Sequence, residues 1–136
     1  MKSFRSITIQ NLDLTDCTSI YGMFFGQSSL TDLDLSGLKI SENVYDMEYM
    51  FYNCSSLTQL DLSGWNVKNL RYAYDMFYNC SNLETIYASD WTAGNSNLAG
   101  QSNVFYGCSS LSGYSDWKTS GAYCKPISQG GYFTTK

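Results

Sequence analysis

Carboxylates recur between the leucines of this chain, and they are the residues best suited to acid–base or metal chemistry. Asp34 and Asp61 hold equivalent positions in the segments Leu-Thr-Asp-Leu-Asp-Leu and Leu-Thr-Gln-Leu-Asp-Leu. If those segments lie side by side, the two carboxylates could bind calcium or divide their pKa values for catalysis. We favour solvated acids that alternate with inward leucines, because no positioned base, nucleophile or phosphate-binding loop accompanies them. We therefore expect no catalytic residue.

Three of the five cysteines, Cys54, Cys80 and Cys108, stand one repeat apart. Ligands of a zinc knuckle are separated by only about two to four residues, and three cysteines in one column leave one without a disulfide partner. We interpret the three as reduced, buried thiols that pack as small hydrophobic residues. We expect no metal and no cofactor, and the state of Cys17 and Cys124, outside this column, stays open.

A column of aromatic residues is the strongest candidate for a binding surface. Its members each follow the phenylalanine of a repeat and are Phe25, Tyr52, Tyr78 and Tyr106. Parallel coils lie about 4.8 Å apart, so these rings would stack into a strip. Further aromatic surface comes from Tyr45, Tyr49, Tyr72, Tyr74 and Tyr87. A contiguous exposed strip favours binding, and the alternative is that the rings only shield neighbouring backbone.

The composition narrows the classes of partner. The 136 residues suit one domain, and the absence of histidine excludes His-based triads and most catalytic zinc sites. A net charge of −4 argues against nucleic acid or an anionic membrane as partner. Residues 1–7 lack the apolar run of a signal peptide or a membrane span. We expect that the chain does not insert into a membrane, and that it either acts without export or is part of a longer chain or assembly.

Four copies of a repeat run along the chain at intervals of 27, 26 and 28 residues, each marked by a Met-Phe or Val-Phe pair. The first expected core column is Phe24, Phe51, Phe77 and Phe105. The second is Leu30, Leu57, Leu83 and Leu111. A further column of recurring residues, in the same register, consists of Leu12, Leu38, Trp65, Trp91 and Trp117. One coil cannot bury its own apolar side but stacked coils can, so we predict short strands within 30–35, 57–62 and 83–88 and no deep pocket.

The repeat resembles a known family. Residues 50–57, Met-Phe-Tyr-Asn-Cys-Ser-Ser-Leu, and 60–65, Leu-Asp-Leu-Ser-Gly-Trp, are similar to the Met-Phe-x-x-Cys subtype of BspA-like leucine-rich-repeat proteins of bacterial surfaces. The first full copy departs from that motif at Gln27. The resemblance implies an α/β-type repeat solenoid, which is a right-handed leucine-rich-repeat coil with short parallel strands and about four to five turns plus a C-terminal cap.

The expected organisation follows from these columns. Residues 1–117 form the solenoid, with units near 7–22, 23–49, 50–75, 76–103 and 104–117. The pattern fails after Leu111, so 118–136 are expected to be a C-terminal cap or tail.

The resemblance implies an extracellular or cell-surface location and adhesion. We expect a non-enzymatic module that presents its Tyr-rich surface to a protein or glycan on another cell or host. The candidate binding residues are Phe25, Tyr52, Tyr78, Tyr106, Tyr87, Asp34 and Asp61. The alternative is a structural or receptor-contact tip of a phage or other extracellular appendage, and the second alternative is a carboxylate-pair enzyme.

Overall fold

A computed structural model of the chain describes residues 4–136, and within them short strands dominate. The strands are β1 (Ser6–Thr8), β2 (Leu12–Leu14), β3 (Asp32–Asp34), β4 (Leu38–Ile40), β5 (Gln59–Asp61), β6 (Thr85–Tyr87) and β7 (Phe133–Thr134). Three 3-10 helices span Ser96–Gly100, Gly121–Tyr123 and Ile127–Gln129. The first three residues of the predicted 1–117 unit lie outside the described range, and the division into units stays a prediction.

The strands form small parallel sheets, none of them closed. β1 pairs with β3, β2 with β4, and β5, β6 and β7 make a three-stranded sheet in that order. Ile7 lies opposite Leu33, and Leu60 lies opposite Ile86, so equivalent positions of successive repeats face each other. The segments predicted as strands do contain β3, β5 and β6, although each strand is only three residues long.

The two strands that carry the candidate carboxylates do not pair. β3 and β5 belong to different sheets, so Asp34 and Asp61 do not face each other across a strand pairing. Their repeats are joined at the Met-Phe turns instead, where the Phe24 N–H donates to the Met50 carbonyl at 2.9 Å. The separation coincides with the replacement of Leu38 by the larger Trp65 in the same sequence column.

The core is built from two columns of equivalent side chains. The four core phenylalanines are stacked, with ring centroids 5.6, 5.6 and 5.4 Å apart between successive repeats. All four are buried, and so are the four leucines of the second column. Such stacking adds to the burial of apolar area, because offset parallel rings attract one another.

The C-terminal residues pack against the last of these rings. The Tyr132 ring lies 4.9 Å from Phe105, and Phe133 lies 5.0 Å from Trp91. The Tyr132 hydroxyl donates to the Lys118 carbonyl at 2.7 Å, which gives its buried polar atom a partner. Between residues 4 and 136, none of the helices has the length and apolar character needed to cross a membrane.

Candidate binding surface

The aromatic strip, defined as Phe25, Tyr52, Tyr78 and Tyr106, is a continuous stack on the surface. Successive ring centroids are 4.8, 4.8 and 5.3 Å apart, and the rings are tilted by only 6°, 7° and 23° from parallel. The spacing matches the distance between neighbouring parallel chains. The rings are therefore spaced by one repeat each, and the strip has the same stacked geometry as the buried phenylalanines beside it.

A residue in the left-handed backbone conformation begins each Met-Phe turn and orients these side chains. The residues before Met23, Met50, Met76 and Val104 all have φ between 58° and 64°. They are Gly22, Tyr49, Asp75 and Asn103. Gly and Asn adopt this conformation readily, whereas a bulky side chain does so at a cost. The turn then places the first aromatic residue in the core and the second one outside.

The ends and the middle of the strip differ in exposure. Phe25 and Tyr106 are 54% and 44% exposed, whereas Tyr52 and Tyr78 are half-buried. Both faces of the two central rings are covered by the neighbouring rings, so their accessible part is the ring edge with its hydroxyl. The middle of the strip therefore offers rigid apolar edges and hydrogen-bonding groups together.

The structure adds to the strip two tyrosines that widen it into a patch. The Tyr49 ring lies 5.6 Å from Tyr52 and 6.2 Å from Phe25, and Tyr21, which is 57% exposed, lies 5.3 Å from Tyr49. Tyr49 was counted in the sequence only as additional aromatic surface. Tyr21 was missed, because its repeat position holds Glu48, Tyr74 and Ser102 in the other copies and so forms no column of constant residue type.

Carboxylates border this patch on one side. Burial raises the pKa of Glu48, and the nearby charges of Asp46 and Asp75 raise it further. Burial also raises the pKa of Asp75, whose charge in turn raises the pKa of Tyr49. These shifts show that negative charges crowd the edge of the patch, which disfavours a polyanionic partner.

The other candidate binding residues lie on the strands. On β6, Tyr87 is half-buried and has the Lys136 ammonium 5.1 Å from its ring centroid. Lys136 also forms an ion pair with Asp61. Burial tends to raise the pKa of Asp61, but hydrogen bonds from Lys136 and Ser63 outweigh it and hold that pKa below its usual value. None of the rings of the strip contacts Tyr87 within the described part of the chain.

Asp34 is exposed on β3 and stands apart from this group. It accepts a hydrogen bond from the Ser36 N–H at 2.9 Å, and the hydrogen bonds from Ser36 lower its pKa. Asp34 and Asp61 are therefore engaged by different partners, and they line opposite sides of a cleft. Residues 4–136 contain no group of three or more acidic, cysteine or histidine side chains that could hold a metal ion.

The cysteine column forms a ladder of thiols in the core. The S–H groups of Cys54, Cys80 and Cys108 donate to the carbonyls of Phe24, Phe51 and Phe77, at 3.2, 3.1 and 2.9 Å. Each bond thus reaches back to the preceding repeat.

The ladder is protected from reaction by its burial. All five cysteines are free; Cys17 is half-buried and Cys124 is buried. Burial, with a contribution from Cys80, raises the pKa of Cys54 to about 12. Interaction with the Cys108 thiol, followed by burial, raises the pKa of Cys80 well above its ordinary value. A reactive cysteine needs the thiolate, so this geometry suits packing.

The strand face carries an open cleft, a surface feature distinct from the deep pocket that the sequence argues against. An open cleft of about 790 Å³ runs between β3 and β5. Its walls include Asp32 and Asp34 on one side and Gln59 and Asp61 on the other, with Trp65 among the remaining lining residues. The interior is filled as predicted, but the two sheets separate and leave a gap between them.

The chain belongs to the family described as Mycoplasma protein of unknown function, DUF285, whose family model matches residues 1–117. No curated protein and no solved structure matches the chain. The family description assigns no activity, so the function has to be argued from the surface itself.

Proposed function

We propose that this chain is a non-enzymatic binding module, a leucine-rich-repeat solenoid whose aromatic strip contacts a protein or glycan. The strip, widened by Tyr21 and Tyr49, is the contact surface. By its resemblance to BspA-like proteins, the module acts outside the cell or on the cell surface, in adhesion to another cell or a host.

The solenoid part of the proposal is supported by two sets of contacts with the same period. Strands pair in parallel with their equivalents one repeat away, and the core phenylalanines stack in the same order. Each repeat thus contacts the next one in sequence, which is how solenoids bury a core.

The observation that carries the binding proposal is the unbroken stack of surface rings. Ring-to-ring distances of 4.8 Å hold Tyr52 and Tyr78 rigid. A rigid tyrosine loses little conformational entropy on binding and offers apolar area beside a hydroxyl, which is why tyrosine is common in binding surfaces. The acids at the edge of the patch favour a neutral or cationic partner.

A comparison of two tyrosine pairs tests the proposal. We expect the chain to bind a component of a glycan array or a host-protein array, and the double substitution Tyr52→Ala with Tyr78→Ala to remove most of that affinity. The matched control is Tyr45→Ala with Tyr72→Ala. Those rings contact each other at 6.2 Å and are each 40% exposed, but they contact no ring of the strip.

Three results would count against the proposal. One is a partner whose affinity falls equally with both tyrosine pairs, because that would indicate a general aromatic effect. Another is loss of binding on substitution of Asp34 and Asp61 while the Tyr52 and Tyr78 variant binds normally. The third is turnover of a substrate that depends on the two aspartates, which would favour the carboxylate enzyme.

A further inference from the structure

The edges of β3 and β5 that face each other carry main-chain groups without strand partners. Where β1 meets β3, the N–H groups of Thr31 and Asp32 donate to the Arg5 carbonyl at 2.9 and 3.0 Å. Where β5 meets β6, the Glu84 N–H donates to the Thr58 carbonyl at 2.8 Å. Among residues 4–136 no equivalent bond links β3 to β5. The ladder that continues on either side is interrupted here.

The direction of the main-chain N–H and C=O groups alternates along a parallel strand, and this alternation identifies the groups without strand partners. In such a ladder successive residues direct their N–H and C=O groups to opposite sides. The Asp34 carbonyl accepts from Ile9 on the β1 side, so the main-chain groups of Leu33 point toward the cleft. The Leu62 N–H donates to Tyr87 on the β6 side, so the groups of Gln59 and Asp61 point toward the cleft from the other wall.

The side chains of the cleft make it predominantly acidic. Asp32 and Asp34 line one wall and Asp61 lines the other; Lys39 is the cation among the described lining residues, and Asp61 is ion-paired with Lys136, so the uncompensated negative charge lies at Asp32 and Asp34. The hydrogen bonds from Ser36 lower the pKa of Asp34 and so favour its ionised form. A cationic occupant is therefore complementary to the cleft, and an anionic one is repelled.

We propose that the cleft between β3 and β5 binds an extended segment of a partner protein that carries lysine or arginine. Unpaired strand edges are recognised by the addition of a peptide strand, in which main-chain hydrogen bonds supply affinity. The Asp32 and Asp34 carboxylates select the positive side chains. This site is separate from the aromatic strip, so it stands or falls independently of the function proposed above.

Amide exchange in the full chain tests the geometry. The probe is an eight-residue peptide that alternates threonine and lysine, and the control peptide replaces each lysine with glutamate. In the free protein we expect the amides of Leu33, Gln59 and Asp61 to exchange rapidly with solvent. With the lysine peptide we expect their exchange to slow at least tenfold, while the glutamate peptide leaves it unchanged.

A pair of matched substitutions tests the charge. Asp34→Asn should weaken binding of the lysine peptide about two- to fivefold, the range expected of an exposed ion pair. Asp13→Asn is the control, because Asp13 accepts the same kind of bond from the Thr15 N–H at 2.9 Å but does not line the cleft. We expect it to leave binding unchanged.

Several outcomes would overturn the proposal. Slow exchange of the three amides in the free protein would mean that β3 and β5 are paired. Absence of binding would contradict the proposed site. Binding without added protection of these amides would mean that the peptide binds elsewhere. Equal weakening by Asp34→Asn and Asp13→Asn would indicate general attraction to an acidic surface. If a lysine peptide with N-methylated main-chain amides bound as tightly as the unmodified lysine peptide, strand addition would be ruled out.

Discussion

Truncation of the central core phenylalanine tests the stacked architecture most directly. Phe51 has no solvent exposure, and its ring lies 5.6 Å from Phe24 on one side and 5.6 Å from Phe77 on the other. The change Phe51→Ala removes both ring contacts and leaves a cavity in the middle of the column. The repeats on either side are joined by main-chain hydrogen bonds at the same level, so the cavity can collapse only partly.

The expected loss is large compared with the stability of such a chain. Phenylalanine-to-alanine changes in a core cost about 3–5 kcal/mol, whereas a chain of 136 residues has a total stability of roughly 7–20 kcal/mol. Phe24→Ala should cost about 0.5–1.5 kcal/mol less, since Phe24 has one ring neighbour in the column and Phe51 has two.

Denaturant unfolding followed by tryptophan fluorescence and circular dichroism measures these differences. The control is Phe25→Ala, which removes the same side chain from a residue that is 54% exposed and should cost about 1 kcal/mol. The order Phe51, Phe24, Phe25, from largest to smallest loss, is the prediction. If Phe51→Ala cost no more than Phe25→Ala, the column would not hold the repeats together.

Three further predictions concern other parts of the chain. Iodoacetamide at pH 8 should modify only Cys17 in the native protein and all five thiols after denaturation without reductant, and a lower count by mass spectrometry would reveal a disulfide. Gly37→Ala should cost about 1–3 kcal/mol in denaturant unfolding, because its Cβ would lie 2.1 Å from a backbone oxygen, whereas Gly100→Ala meets open space and should be nearly neutral. Burial raises the pKa of Asp75, so its ionised form destabilises the folded chain at pH 7, and this effect fades as the pH falls. Asp75→Asn should therefore stabilise the chain at pH 7 and should lower the pKa of Glu48 in an NMR titration. An unchanged pKa of Glu48 would contradict the coupling between the two carboxylates.

Residues that recur with the repeat could be assigned from the sequence. Phe51, Leu57 and Cys54 stand in columns of constant spacing, and stacking places such columns in the core. The strip through Tyr52 followed by the same reasoning, since its position relative to Phe51 is constant. Tyr21 could not be found in this way, because its position is occupied by Glu48 in the next repeat, and it reaches the strip through Tyr49.

The contacts of the C-terminal residues could not be predicted from the repeat either. β7 pairs with β6 although the intervening chain has no periodic pattern, and Lys136 reaches Asp61 from a distant part of the sequence. A pairing of this kind depends on how the whole tail returns across the last repeat. Neither the composition nor the local spacing of residues 118–136 contains that information.

The sequence by itself determined which residues face the core and which form the strip, because a constant spacing puts equivalent side chains in line whatever the exact shape of each repeat. Only the tertiary structure decided whether the strands of neighbouring repeats pair. Between β3 and β5 they do not, although the same motif pairs β5 with β6. Pairing requires two backbones at hydrogen-bonding distance, and that distance depends on how the side chains of whole repeats pack together, which the motif on either strand does not contain.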